Sequence, residues 1–164
     1  MFEWRAAYDA AGIRDDDAPP NALVAEAATA DRLIASDLPR AIASMERLAP
    51  GREMELSPLL RETPLALPPV PFPLPLTAWE VLISARWFAE RAVGRRGAPE
   101  ELARARDAVD WLIERVSGDR SVVVVTHGAF RVLLGWELGA RGWKPDPAGA
   151  RRYHNWSDWT FLSG

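Results

Sequence analysis

The stretch "SVVVVTHGAFRVLLGWELG" constrains the fold more than any other part of the chain: four valines, Val122 to Val125, run into Thr126-His127-Gly128 and then at once into an apolar helical pattern. β-Branched residues favour strands. A strand with one wet face alternates apolar and polar residues, and this one does not, so both of its faces must be covered. Strands of that kind sit in parallel sheets with helices on either side, so the expected class is α/β. A chain of 164 residues with 48% hydrophobic and 26% charged composition can bury a core of that kind. The length suits one domain. Neither repeats nor a linker interrupt it, and residues 1–164 read as a single domain.

The other elements follow from periodicity and punctuation. "FEWRAAYDAAG" places Trp4, Tyr8 and Ala11 on one helical face. A second short helix is expected from Asn21, a good N-cap residue. "RLIA" reads as a strand ending at "SDLPRA", where Ser36 and Asp37 are N-cap types and Pro39 suits a first helical turn. Leu38, Ile42, Met45 and Ala49 continue as a helical stripe. "REMELSPLLRE" reads as a weak strand and turn. "TPLALPPVPFPLPL" holds six prolines. They fix φ and cannot donate, so the segment is extended and non-helical. A rigid crossing loop is favoured there over a PxxP ligand at Pro68 and Pro71. "TAWEVLISARWFAERAVG" reads as a helix. So does "PEELARARDAVDWLIERVSG", opened by Pro99 with Glu100 and Glu101 at the positive end of its dipole. "HNWSDWTFL" is a final edge strand.

Composition removes several function classes. The formal charge is −3, which gives no electrostatic basis for a nucleic-acid partner. With no cysteine and only two histidines, His127 and His154, neither disulfides nor a multi-histidine metal site is expected. No cofactor is implied. No apolar run is long enough to span a bilayer. The start of the chain has no apolar h-region, so it is not a secretory signal and cytoplasm is the expected location. Oligomeric state is not readable.

Two strand-to-helix corners can carry chemistry: "LIASDLPRA" and "VVVVTHGAF". Ligands of open parallel sheets bind beyond the carboxyl ends of the strands. Each following helix aims its first N–H groups there. Arg40 could fork two donors onto an oxyanion, His127 offers a titratable imidazole, and Gly128 lets a ligand approach the backbone. Plain structural readings stand beside these. A strand-end histidine is often a capping residue, and a first-turn arginine is often solvated. Trp79, Trp87, Trp143, Trp156 and Trp159 could line a cavity, although large aromatics more often belong to the core.

"ASDLPRAIASMERL" followed by "VVVVTHGAFRVLL" resembles the second arginine and second histidine motifs of the histidine phosphatase superfamily, the phosphoglycerate mutase-like proteins. The resemblance implies a three-layer sandwich, a mostly parallel sheet flanked by helices. It also implies hydrolysis of a phosphomonoester through a phosphohistidine, with a small phosphorylated molecule or phosphate as partner. By position, Arg40 would bind phosphate oxygens, with Gly128 beside them. His127 would stabilise the transferring group. Glu62 in "LLRETPL" would protonate the leaving oxygen; the plain alternative is a solvated loop carboxylate.

One departure matters. Members of the family open with a central strand ending in Arg-His-Gly, which carries the nucleophile, and this chain has no such segment. The sheet is therefore expected to lack its central first strand, leaving "SVVVV" with an unpaired edge. Each buried unpaired polar group costs about 1–3 kcal/mol, against a total stability of about 5–15 kcal/mol. Instability or aggregation is expected unless neighbouring strands close the gap or another chain donates one. The simplest expectation is a misplaced start, with Met1 inside a longer frame. The functional expectation is a family member inactive as this chain. The alternatives are a non-catalytic phosphate-binding pseudoenzyme or an interaction module.

Overall fold

The computed structural model describes residues 12–13, 18–63, 85, 99–117, 121–152 and 156–163. The first expected helix, the proline-rich stretch, His154, Trp79 and Trp87 lie outside these residues, as does the helix expected around Trp87 apart from Ala85.

Helix α1 is Asn21–Thr29, strand β1 Arg32–Ser36 and helix α2 Pro39–Leu48. Strand β2, Glu55–Ser57, leads into a 3-10 turn at Pro58–Leu60. Helix α3 is Pro99–Val116, strand β3 Val122–Val125 and helix α4 Gly128–Ala140. Strands β4, Lys144–Arg152, and β5, Ser157–Leu162, follow.

β1 is the middle strand of a parallel sheet in the order β2-β1-β3. It pairs Ile34 with Glu55 on one side and Ile34 with Val124 on the other. Side chains alternate across the sheet. Leu33 and Ala35, with Val123 and Val125, pack on Leu23 and Ala27 of α1 and on Met45 and Leu48 of α2. Ile34, with Val122 and Val124, packs on Val109 and Leu112 of α3 and on Phe130 and Leu133 of α4. Two helices on each face explain why neither strand alternates in sequence. The architecture is the expected α/β sandwich with a parallel sheet between helical layers.

Several caps differ from expectation. Asn21 is the first residue inside α1; the cap is Pro20, whose carbonyl accepts from Leu23 and Val24. α2 is capped by Leu38, with Pro39 at its first position. Ser36 accepts from the Leu38 N–H through Oγ at 3.4 Å, and Asp37 is held by Arg61. Both side chains are therefore used for local and long-range ties rather than as the cap itself. At the far end of α1, Arg52 donates to the carbonyls of Ala27, Ala28 and Ala30 at 2.5, 3.2 and 2.7 Å. One guanidinium thus satisfies acceptors that a helix C-terminus leaves without partners.

β4 and β5 form an antiparallel hairpin whose register shifts between Asp146 and Arg151. The expected final strand is β5. β4 was not expected, because Pro145, Pro147 and Gly149 weaken any strand pattern. Gly149 is required by a close approach: a Cβ there would lie 2.3 Å from Thr160 Oγ1. Gly135 of α4 plays a related part, since a Cβ would meet Phe161 at 3.1 Å and Trp159 at 3.3 Å. Arg151 ties the hairpin to α1 by pairing with Asp158 at 2.6 Å and with Glu26.

Among the described residues, no strand pairs with β3 on the side away from β1. A cavity of about 900 Å³ lies there, bounded by β3, by α1 and α4, and by Trp159 and Phe161 of the hairpin. Accordingly Val122–Val125 are all half-buried, while Leu33–Ser36 are buried. The valine run is covered on both faces and, among the described residues, is open along one edge.

Candidate active site

β1 and β3 run in the same direction, so their carboxyl ends, Ser36 and Val125, lie at one margin of the sheet. Each chain then turns into a helix. The turn after β1 delivers Arg40 as the second residue of α2, and the turn after β3 delivers His127 as the cap of α4. Arg40 Nε donates to His127 Nδ1 at 3.3 Å. His127 is 8% exposed. It makes no side-chain capping bond to its own helix, so the imidazole faces Arg40 instead. An acceptor at Nδ1 places the ring's N–H at Nε2. A second atom of each side chain, Arg40 Nη2 and His127 Nε2, is shielded from solvent.

Glu62 joins the same place from the loop after the 3-10 turn. Its Oε1 accepts from the Phe130 N–H at 3.1 Å and from the Thr63 N–H at 3.0 Å. Burial raises the Glu62 carboxyl above the ordinary carboxylate range, opposed by those two N–H groups and by the nearby Arg40 charge. Here the expectation is sharpened. The first-turn N–H groups of α4 were read as waiting for a ligand anion, and Glu62 already occupies the one on Phe130. Glu62 is not a solvated loop carboxylate. Gly128 opens α4 with open space where a Cβ would project, so no neighbouring side chain requires glycine there.

Three consecutive residues, Leu60, Arg61 and Glu62, bind the two corners together. The Leu60 carbonyl accepts from Thr126 Oγ1 at 2.9 Å. Arg61 grips Asp37 through two contacts, Nε–Oδ1 at 2.6 Å and Nη2–Oδ2 at 2.5 Å. That guanidinium holds the Asp37 carboxyl below its ordinary range. Glu62 holds the head of α4. The loop thus fastens the arginine corner through Asp37 and the histidine corner through Thr126 and Phe130.

Arg104 of α3 secures the loop from behind. Its Nη1 donates to the carbonyls of Leu59 at 2.8 Å and Arg61 at 2.7 Å. Its Nη2 pairs with Glu101. Its guanidinium lies 3.9 Å from the centroid of the Phe130 ring. Sequence reasoning missed Arg104, Thr126 and the Asp37–Arg61 pair. No short-range spacing announces contacts between residues so far apart in the chain.

Arg40, His127, Glu62 and Gly128 are therefore brought together, and Trp143, Trp156 and Trp159 line the adjoining cavity. Chemically, the cluster offers a fork donor, an imidazole N–H and a carboxyl shielded from water. Among the described residues, no group of three or more His, Cys, Asp or Glu is placed to hold a metal ion. No helix among them is long and apolar enough to cross a membrane.

Comparison with known proteins gives the same direction. A family model described as the histidine phosphatase superfamily, branch 1, matches residues 12–155. Phosphoserine phosphatase of Entamoeba histolytica, solved with 3-phosphoglyceric acid, superposes with a TM-score of 0.51 at 18% identity, covering 99% of this chain and 92% of that one. A histidine-to-alanine mutant of that enzyme, solved with phosphoserine, gives 0.51 and 18%, covering 98% and 90%. At this identity the likeness concerns the fold. Comparison with curated proteins finds no match.

Proposed function

The chain belongs to the histidine phosphatase superfamily, branch 1, and on that basis we propose that it binds the phosphoryl group of a small phosphorylated molecule between Arg40 and His127. The observation that carries this reading is the 3.3 Å contact of Arg40 Nε with His127 Nδ1. Two side chains from separate βα corners, with Arg40 Nη2 and His127 Nε2 shielded from water, present donors to one point. The guanidinium supplies charge-assisted bonds to phosphate oxygens. The imidazole, its Nδ1 committed to Arg40, points an Nε2–H. Out of bulk water such donors act in a lower dielectric and stabilise charge on a transferring phosphoryl group more strongly.

Glu62 stands where the complete family pattern has its proton donor. A carboxyl whose hold on its proton is raised by burial can hand that proton to a leaving oxygen. Its bond from Phe130 fixes it at the head of the same helix that His127 caps. Structural neighbours bind 3-phosphoglyceric acid and phosphoserine, which supports a small phosphomonoester as the ligand class here.

Turnover is the step this reading withholds from the 164-residue chain. Attack in line on phosphorus needs a nucleophile besides the groups that hold the oxygens. The sequence contains two histidines and no Arg-His-Gly. With His127 engaged by Arg40, none is assigned to attack. The chain is thus a phosphate-binding member whose hydrolytic pattern is incomplete.

Vanadate binding and p-nitrophenyl phosphate hydrolysis together test this. The expected result is vanadate binding, lost in Arg40→Ala, with no hydrolysis above background. Hydrolysis that disappears in His127→Ala would show that a nucleophile is present after all. Absence of any anion binding would remove the phosphate reading and favour an interaction module.

A further inference from the structure

We infer that Arg104 is a positioning residue for Glu62: it clamps the loop that carries this carboxyl and the helix turn that receives it. The inference rests on the role proposed for Glu62 above. Arg104 donates to the carbonyls of Leu59 and Arg61, so it fixes the backbone up to the residue before Glu62. The same guanidinium lies on the ring of Phe130, the residue whose N–H receives Glu62 Oε1. One rigid planar group therefore sets both ends of the Glu62–Phe130 bond. Phe130 is fully buried, and the Arg104 side chain that lies on it is 20% exposed.

The fork matters more than the charge. A planar guanidinium can serve two carbonyls from one nitrogen, pair with Glu101 through another and stack its face on a ring. A lysine ammonium is a compact point charge and cannot hold all of these at once. Glu101 offsets the charge of Arg104. The charged and titratable groups around Glu62 are Arg40 from α2, the Asp37–Arg61 pair across the loop, the imidazole of His127 at the head of α4, and Arg104 with Glu101 from α3.

Positioning and plain electrostatics predict opposite signs. Were Arg104 acting only as a nearby positive charge, its loss would raise the Glu62 carboxyl further. As a clamp, its loss frees the loop, lets water reach Glu62 and lowers the carboxyl towards its ordinary range.

The test uses the full chain with ¹³C-labelled glutamate side chains, the Glu62 signal being assigned by its absence in Glu62→Gln. Wild type, Arg104→Lys and Arg104→Ala are titrated by NMR. The Glu62 midpoint is expected to fall in both Arg104 variants, and by more in the alanine. Should Arg104→Ala fail to fold, Arg104→Lys alone decides the matter. A midpoint that stays or rises in a folded Arg104→Lys overturns the inference. Sulfate, whose charge is constant over this pH range, is titrated in parallel by calorimetry. A lowered Glu62 midpoint with no sulfate binding to wild type would keep the clamp and remove the anion site. Sulfate binding with an unmoved midpoint would keep the site and remove the clamp.

Discussion

Strands β1 and β3 lie side by side, paired residue for residue from Arg32–Val122 to Ala35–Val125, yet they are buried very differently. Leu33, Ile34, Ala35 and Ser36 are all buried, although the set includes an alanine and a serine. Val122 to Val125 are uniformly apolar and all half-buried. The difference is position. β1 has a strand on both sides, whereas among the described residues β3 has one on a single side and a cavity along the other. Apolar composition specifies that the faces of a strand are covered. Its edges depend on which strands come to lie beside it.

The largest expected effect that bears on this contrast is at Ile34. Ile34→Ala removes a fully buried side chain from the face shared with Phe130 and Val109, and should cost about 2–5 kcal/mol by chemical denaturation. Val124, its register partner on the same face, is half-buried. Val124→Ala should cost about 1 kcal/mol. Equal losses per carbon removed would mean that the cavity beside β3 is closed in solution.

The corners at the ends of these strands differ too, and pH separates them. At the β3 corner, Glu62 is held above its ordinary range by burial. The native state keeps this proton to higher pH than the unfolded chain does. The stabilisation is complete below the unfolded value and is lost as pH rises through the folded one. Glu62→Gln removes that loss, so its melting temperature should decline less than that of wild type from mildly acid to neutral pH. Parallel curves would show that Glu62 is not buried in solution.

The β1 corner has the opposite sign and a smaller size. Asp37 is held below its ordinary range by Arg61, so its contribution is present above the unfolded value and fades as pH falls. Arg61 is half-exposed, and solvent weakens such a pair. Asp37→Asn should cost about 0.2–1 kcal/mol at neutral pH and nothing in acid. A larger cost would mean that the Leu60–Glu62 loop depends on this pair more than on Thr126 and Phe130.

Much of this arrangement was legible in the residues. The valine run specified a covered strand, and Pro39 marked a helix start. The two motifs brought Arg40 and His127 to one edge because parallel strands share their carboxyl ends. What escaped was long-range or irregular. β4 hides behind Pro145, Pro147 and Gly149. Asn21 has the chemistry of a cap, but Pro20 supplies the carbonyl that starts α1. Arg104 carries no local signal in the sequence; only the packing of α3 on the 58–60 turn gives it the carbonyls of Leu59 and Arg61. The helix-start donors of α4 read as a position for a ligand anion, and a carboxylate of the same chain takes one of them.

The convergence of Arg40 and His127 on one anion is tested most directly by a double-mutant cycle on inorganic phosphate binding, read by calorimetry with wild type, Arg40→Ala, His127→Ala and the double variant. Charge-assisted hydrogen bonds are worth about 1.5–3 kcal/mol, so each single variant should weaken binding about tenfold or more, and the double variant by less than the product of the two. Phosphate bound as tightly by Arg40→Ala and by His127→Ala as by wild type would contradict the account.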